Sequence, residues 1–496
     1  MLLNSSFKAC APKPPVLTAV KLIAAIAAPQ ALYFLVNFFC FRGAKIHILA
    51  IQKNEIMQCI LVVGAGRSAS TMIQYLLDHS EANNWQVIVG DYDLSLAEQK
   101  IDNHPNGKAL HFDVFDEQQR NDGIRNADII VSMLPASMHI LLAEDCVFQG
   151  KNMVTASYVS DEITALNDKA VAKGVLLLNE IGLDPGIDHM SAKKAIDKIH
   201  NTGGDIHTFK SFCGGLVAPQ YDINPWNYKF TWNPRNVVLA GQGTAQFIRN
   251  GQYKYIPYQS LYSRIETINV LDLGSFEGYA NRDSLGYREA YDLANIPTIF
   301  RGTLRKPGYC EAWNVFVQLG MTDDTYQVSG LSNMTWRDFI NSFLVFDQVK
   351  TVEEKLQSYL SLSNEVMSKL KWLGIFQKEL VGLEKATPAQ VLQKLLETKW
   401  SLEADDKDMI VMQHQFYYRL KGEEKCLHSS LVLEGKDQIH TAMSMTVGLP
   451  VAIATKLILQ GKIQLTGVQI PVIKEVYEPV LEELKSFGID FVEEEK

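Results

Sequence analysis

The sequence predicts an α/β fold built on a doubly wound parallel sheet, and three observations predict it. Short apolar runs recur at the spacing of strands that alternate with helices, the first run opens into a glycine turn, and the second ends in a carboxylate.

The first run, residues 59–63, leads into Gly64-Ala65-Gly66-Arg67-Ser68-Ala69 and then a helical pattern through Ile73, Leu76 and Leu77. Strand, glycine turn and helix in that order are what a dinucleotide-binding unit requires. Gly64 makes the turn, Gly66 lets the backbone approach a pyrophosphate, and Ala69 permits close helix packing. The N–H groups at the helix start then bind phosphate. The second run, residues 85–90, ends in Asp91, where a carboxylate accepts hydrogen bonds from ribose hydroxyls. That carboxylate repels a 2′-phosphate and no arginine follows it in Asp91-Tyr92-Asp93-Leu94, so NAD is preferred over NADP, although Arg67 can still reach a phosphate.

Four more strands are expected at residues 109–112, 127–132, 152–155 and 175–178. In a parallel sheet of this kind ligands bind at the carboxyl ends of the strands, so the tips are candidate sites. Asp113 and Val114 are placed to cover an adenine, and the tip from Ser132 through Leu134 to Pro135 lies beside the nicotinamide ribose. Ala156-Ser157-Tyr158 follows the fifth run. The sixth continues into Asn179-Glu180-Ile181-Gly182-Leu183-Asp184-Pro185-Gly186-Ile187-Asp188-His189. Glycines, a proline and three carboxylates are poor core material, so this tip belongs at a cleft. Asp184 reads as functional, and Asp188 as the N-cap of a helix running from His189 onward.

Val154 to Tyr158, Asn179 to His189, Phe212 to Leu216 with Pro219, Asn224-Pro225, Tyr228 to Trp232, Asn281-Arg282-Asp283 and Arg301 to Arg305 together resemble the saccharopine dehydrogenases of the glutamate-forming type. The resemblance runs from about Met57 to the end of the chain. It implies an NAD(P)-linked enzyme that interconverts saccharopine with glutamate and 2-aminoadipate 6-semialdehyde through an imine. It also implies three parts: a dinucleotide domain at 57–187 plus 441–496, an inserted α+β substrate and dimerisation domain at 188–345 plus 405–440, and a small helical insertion at 346–404. A long apolar helix pattern at 442–460 is interrupted by Gly448-Leu449-Pro450.

Carried over by motif position, the substrate contacts fall on Ser157, Tyr158, Asp184, Arg282, Thr303, Leu304 and Arg305. The cofactor contacts fall on Gly64, Ala65, Gly66, Arg67, Asp91, Asp113, Val114, Leu134, Ser157, Leu183, Asp184 and Pro185. A substrate with three carboxylates needs cations, and arginine grips a carboxylate with two parallel donors. Arg282 and Arg305 are favoured for this over Arg301, and Arg288 is taken as structural. Breakdown of a carbinolamine needs a proton relay, for which Asp184, Tyr158 and His189 are the candidates in that order; Lys229 and Lys210 could also donate. Two other readings are a related imine reductase, such as one forming carboxynorspermidine, and a non-catalytic NAD-binding sensor.

With 496 residues and 47% hydrophobic content, the chain can form more than one sizeable core. A net charge of −9 and the absence of a basic tract argue against nucleic-acid binding. Seven scattered cysteines without a CxxC pair, and histidines without paired ligand spacing, point to reduced thiols in a cytoplasmic protein with no metal. Cys213 is the one expected to border the substrate pocket. The inserted domain offers surface for a homodimer. Residues 1–56 are set aside: residues 22–41 are apolar over about a membrane span, but Pro29, Gln30 and Asn37 interrupt them and Met57 precedes the first strand. They read as translation from an upstream codon, with a membrane anchor within 16–41 as the alternative.

Overall fold

The computed structural model describes residues 57–240 and 242–495, and the expectations for residues 1–56 lie outside the described residues. Six strands alternate with helices from the start: β1 (Gln58–Val63), β2 (Trp85–Asp91), β3 (Gly107–His111), β4 (Ile129–Ser132), β5 (Asn152–Thr155) and β6 (Leu176–Leu178). A second set follows the long helix Ile187–Asn201: β7 (Asp205–Val217), β8 (Ala245–Arg249), β9 (Gln252–Ile256), β10 (Glu266–Asn269), β11 (Ser275–Ala280), β12 (Thr298–Arg305), β13 (Asp408–Leu420) and β14 (Glu423–Glu434). The chain then returns to the first sheet through β15 (Gly467–Gln469) and ends on the second with β16 (Val492–Glu495).

The first sheet is wholly parallel, in the order β15-β6-β5-β4-β1-β2-β3. Strand order reverses between β1 and β4, where a crevice opens at the carboxyl edge of such a sheet. Buried residues alternate along β1, with Ile60 and Val62 on one face and Leu61 and Val63 on the other. Helices therefore cover both faces, as the unbroken apolar runs require.

One covering helix comes from far along the chain. Ala442–Leu459 is a single continuous helix despite Gly448 and Pro450, which corrects the expected interruption. It is long and apolar enough to span a membrane, yet it is mostly buried, packed between the first sheet and residues of β13 and β14. Gly448 is required at its crossing with the helix Ser70–Asp78, because a Cβ there would meet Met72 at 3.0 Å and the Ser68 carbonyl oxygen at 3.2 Å. Thr71 and Ser444 pin the same crossing with a 2.8 Å hydroxyl contact. The start of the long helix is fixed by Asp408, which accepts from the Ala442 and Met443 N–H groups at 2.6 and 2.8 Å.

The second sheet is mixed, in the order β10-β11-β12-β7-β13-β14-β16, with the β8–β9 hairpin attached to β12. β12 and β7 run parallel and their neighbours antiparallel. The residues assigned from sequence to a separate helical insertion form helices Val352–Leu360, Asn364–Leu373 and Pro388–Trp400. Their apolar faces share one core with the second sheet, in which Trp226, Tyr228, Trp313 and Trp400 pack ring against ring. The final strand, expected with the dinucleotide domain, adds an edge to the second sheet by pairing with β14.

Candidate active site

The first turn is built as a cradle. Gly64 has φ +105°, a backbone conformation that favours glycine, and a Cβ there would meet the Met133 carbonyl oxygen at 2.9 Å. Gly66 opens outward instead, since a Cβ there would meet nothing within 4 Å. The turn continues through a 3₁₀ segment, Arg67–Ala69, before the α-helix begins at Ser70. Both Asp91 oxygens brace the turn: Oδ2 accepts from the Ala65 N–H at 2.7 Å and Oδ1 from the Asp93 N–H at 2.9 Å. Lys100 donates to Ser70 at 2.7 Å, and its pKa is lowered by burial and then by Arg67.

The other cofactor candidates lie along the same carboxyl edge. Asp113 accepts from the Phe115 N–H at 2.9 Å and Val114 is buried, so at this tip the fold uses the one and packs the other. Leu134 reaches Gly64 through its backbone. Leu183 and Pro185 form a tight turn in which the Gly182 N–H donates to the Pro185 carbonyl at 2.9 Å. Gly186, at φ +145°, closes it, and a Cβ there would run into the Gly182 backbone. Open space at Gly66, inward-braced Asp91 and a glycine turn at the switch point fit a dinucleotide along this edge.

Beside this edge stands a buried charge cluster. Arg301 of β12 donates to Asp184 Oδ1 at 2.7 Å and to Asp188 Oδ2 at 2.8 Å. The Tyr158 hydroxyl donates to the same Asp184 Oδ1 at 3.1 Å. Neither contact engages Asp184 Oδ2. Burial first, and then the Asp188 carboxylate, raises the Asp184 pKa above its ordinary value. Burial followed by the charge of Asp184 raises that of the Tyr158 hydroxyl, which keeps its proton. Burial opposes the ionised form of Asp188, but His189, Arg301 and the Gly186 N–H at 2.6 Å outweigh it and hold its pKa down.

Asp188 departs from its expected role as an N-cap. The helix starts at Ile187, and Asp188 reaches back to the Gly186 N–H while pairing with Arg301. His189 is also differently placed from an acid–base group presented to a ligand. It is fully buried, with Nδ1 2.5 Å from the Tyr291 hydroxyl and Nε2 3.0 Å from Glu180 Oε2, and its ring stacks on Tyr287. Glu180, at φ +57°, also accepts from the Val159 N–H at 3.0 Å and the Tyr287 hydroxyl at 3.2 Å. Lys229 and Lys210 are each committed to a carboxylate, Lys229 to Asp406 at 2.5 Å and Lys210 to Glu266 at 2.7 Å.

Strand alternation explains the arginines. Arg301, Thr303 and Arg305 face one side of β12, whereas Leu304 faces the other and lies in the core. Leu304 can therefore offer a ligand only its backbone, and its carbonyl already accepts from Arg305 at 2.8 Å. Arg305 is buried within an aromatic cage, 5.0 Å from the Tyr228 ring centroid, 5.3 Å from Tyr309 and 5.9 Å from Tyr279. Its Nε finds no partner among the described residues. The rings solvate the cation but supply no counter-charge, and a buried guanidinium with no carboxylate partner among the described residues suits a site that receives an anion. Cys213 lies opposite Thr303 on β7, between the two arginines, and burial pushes its thiol well above its ordinary value. Arg282, at φ +47°, is exposed with its guanidinium 5.6 Å from the Tyr158 ring. Arg288 leans on Tyr253 at 5.8 Å.

Arg301, the less favoured arginine by sequence, is the one that holds the cluster together. Its signal was the same alternation, which places Arg301 and Arg305 on one strand face. Glu180 lies in the carboxylate-rich tip that the sequence marks, but its pairing with His189 does not show there, and Tyr287 and Tyr291 carry no local signal because a distant segment supplies them.

Two family models match the chain: the saccharopine dehydrogenase NADP binding domain over residues 60–178, and the saccharopine dehydrogenase C-terminal domain over residues 182–489. The chain is 32% identical to the Schizosaccharomyces pombe saccharopine dehydrogenase [NADP(+), L-glutamate-forming] over 449 residues, which cover 88% of this chain and 99% of that one. It is also 32% identical to the mitochondrial alpha-aminoadipic semialdehyde synthase of Rattus norvegicus, covering 87% of this chain and 47% of that longer protein. Among solved structures, the apo saccharopine dehydrogenase (L-Glu forming) of Saccharomyces cerevisiae superposes with a TM-score of 0.80 at 30% identity, covering 88% of this chain and all of that one.

Proposed function

Because the chain belongs to the saccharopine dehydrogenase family, we propose that it interconverts saccharopine with L-glutamate and 2-aminoadipate 6-semialdehyde, with NAD(P) as the redox partner. The bound nicotinamide supplies the hydride chemistry, and the residues of this chain bind, orient and move protons. Asp184 carries the assignment of roles. One of its oxygens is locked by Arg301 and Tyr158, and its second oxygen is left to exchange a proton with the ligand. A carboxyl whose pKa lies above the usual range exchanges protons nearer to neutral pH than an ordinary one.

In the oxidative direction the secondary amine loses its proton and is oxidised to an imine. Water adds to the imine carbon, and the carbinolamine collapses as a proton reaches the departing nitrogen. Asp184 takes and returns these protons, while Tyr158, held protonated, fixes the carboxylate by donating its one proton to it and leaves its oxygen to accept from the ligand. Arg305 and Arg282 receive substrate carboxylates. His189 serves behind them by holding Asp188 and Glu180.

Within NAD(P) the preference is read from charge. Asp91 sits at the ribose position, Arg67 is exposed and screened, and Lys100 is committed to Ser70. This balance favours NAD, although the fungal relatives are named for NADP(+). Asp91→Ala is expected to narrow the ratio of kcat/KM for NADH over NADPH; an unchanged ratio, or wild-type preference for NADPH, would overturn the charge argument.

The reaction itself is tested with glutamate, aminoadipate semialdehyde and reduced cofactor. Wild-type protein is expected to oxidise the cofactor, and Arg305→Ala to raise KM for the carboxylate substrate by roughly 10- to 100-fold, the loss of one charged hydrogen-bonding partner. A folded, nucleotide-binding wild type that shows no turnover would exclude this substrate and point to another imine.

A further inference from the structure

A second line of side chains touches the site, and the chemistry above makes no use of it. His139, the first residue of the helix His139–Gln149, is buried between the tips of β4 and β5. Its Nδ1 lies 2.7 Å from Ser132 Oγ and its Nε2 lies 2.7 Å from Ser157 Oγ. Ser132 is fully buried, whereas Ser157 is half-buried and adjoins Tyr158 at the carboxyl edge. The imidazole is therefore a bridge from the sheet interior to the ligand edge.

Burial lowers the His139 pKa to about 4, so the ring is neutral and carries a single proton. A neutral imidazole donates through one nitrogen and accepts through the other, which gives the line a direction. If Nδ1 carried the proton, Ser132 would accept it, and the Ser132 hydroxyl proton would be left without a partner among the described residues. Leaving a buried donor unsatisfied is costly, so the opposite direction prevails. The Ser132 hydroxyl then donates to Nδ1, and Nε2–H donates to Ser157 Oγ. The Ser157 proton is released toward the ligand edge. The Ser157 backbone is held separately, with its carbonyl accepting from the Glu180 N–H at 3.0 Å.

We propose that His139 is a positioning residue that turns the Ser157 hydroxyl outward as a hydrogen-bond donor to a carboxylate of the amino-acid substrate. This rests on the saccharopine reading and adds to it a neutral donor whose direction is set two residues away from the ligand. A donor that binds ground state and transition state alike moves KM and leaves kcat nearly unchanged.

The test compares wild type, His139→Phe, His139→Gln, Ser157→Ala and the double variant His139→Phe/Ser157→Ala in saccharopine turnover. Phenylalanine fills the space without polar atoms, whereas the glutamine amide can accept from Ser132 and donate to Ser157. We expect His139→Phe to raise KM about 10-fold with kcat within about 3-fold, and His139→Gln to recover most of that loss. The double variant is expected to match Ser157→Ala alone, because both changes remove one interaction. Additive effects, or a glutamine variant no better than phenylalanine, would overturn the proposal. In ¹⁵N-histidine NMR of the wild type, the signal missing from His139→Gln is expected to show the Nε2–H tautomer, and an Nδ1–H tautomer would reject the relay direction. Should the wild type fail to turn over saccharopine, the reaction reading falls, and the tautomer alone decides the relay.

Discussion

Asp184→Asn is expected to lower kcat for saccharopine oxidation by about 10²- to 10⁴-fold, the range for removing a positioned acid–base group. The amide keeps an oxygen to accept from Arg301 and Tyr158, which engage the same atom, Oδ1, so the fold and the local geometry have little reason to change. What is lost is the second oxygen as a proton acceptor. The pH profile supplies the sign. Burial and the neighbouring Asp188 raise the Asp184 pKa, and oxidation needs the ionised form. Wild-type kcat/KM is therefore expected to fall as pH drops through a value above the ordinary carboxylate figure of about 4. Steady-state rates across pH, together with a thermal melt of both proteins, check this. A variant with near-wild-type kcat, or an acid limb unchanged in the variant, would remove Asp184 from the proton pathway.

Arg301→Met is expected to be the most destabilising change near the site, by about 3–5 kcal/mol. Arg301 is buried, and its removal leaves the Asp184 and Asp188 carboxylates facing each other without the cation that bridges them. The pH sign again follows. Without the guanidinium, the Asp184 carboxyl, already raised by burial and Asp188, rises further above its unfolded value, so its protonation favours the folded variant. The stability deficit is fully present at neutral pH and shrinks as pH falls through the raised Asp184 value. Urea unfolding of both proteins at neutral and mildly acidic pH measures it. A deficit under about 1 kcal/mol, the level of an exposed pair, would mean that the cluster does not depend on the arginine.

The contrast between these residues shows what a sequence can carry. The strands, the glycine turn and Asp91 were legible because each is encoded by neighbours a few positions apart. The turn at Asp184-Pro185-Gly186 was legible for the same reason, as its composition fits no core. The assembly behind it was not legible. Arg301 comes from β12, Tyr291 from the turn before it, Glu180 from the loop after β6, and Asp188 and His189 from the helix that follows, and only the closed fold brings the two segments together. Leu304 shows the converse limit: motif position marked it as a contact, while the period of two along β12 turns its side chain into the core. His139 carries no local signal, since its meaning depends on serines at two separate strand tips.

The helix Ala442–Leu459 has a consequence for how the chain is made. It covers the face of a sheet whose first six strands end at Leu178, and the sheet's last strand, β15, comes later still. At a synthesis rate of about 5–20 residues per second, the nascent sheet waits on the order of ten seconds or more with that apolar face covered only in part, by the helix Ser70–Asp78. The intervening segment has a core of its own and can collapse meanwhile. The first half of the sheet therefore keeps apolar surface open until nearly the whole chain has been made.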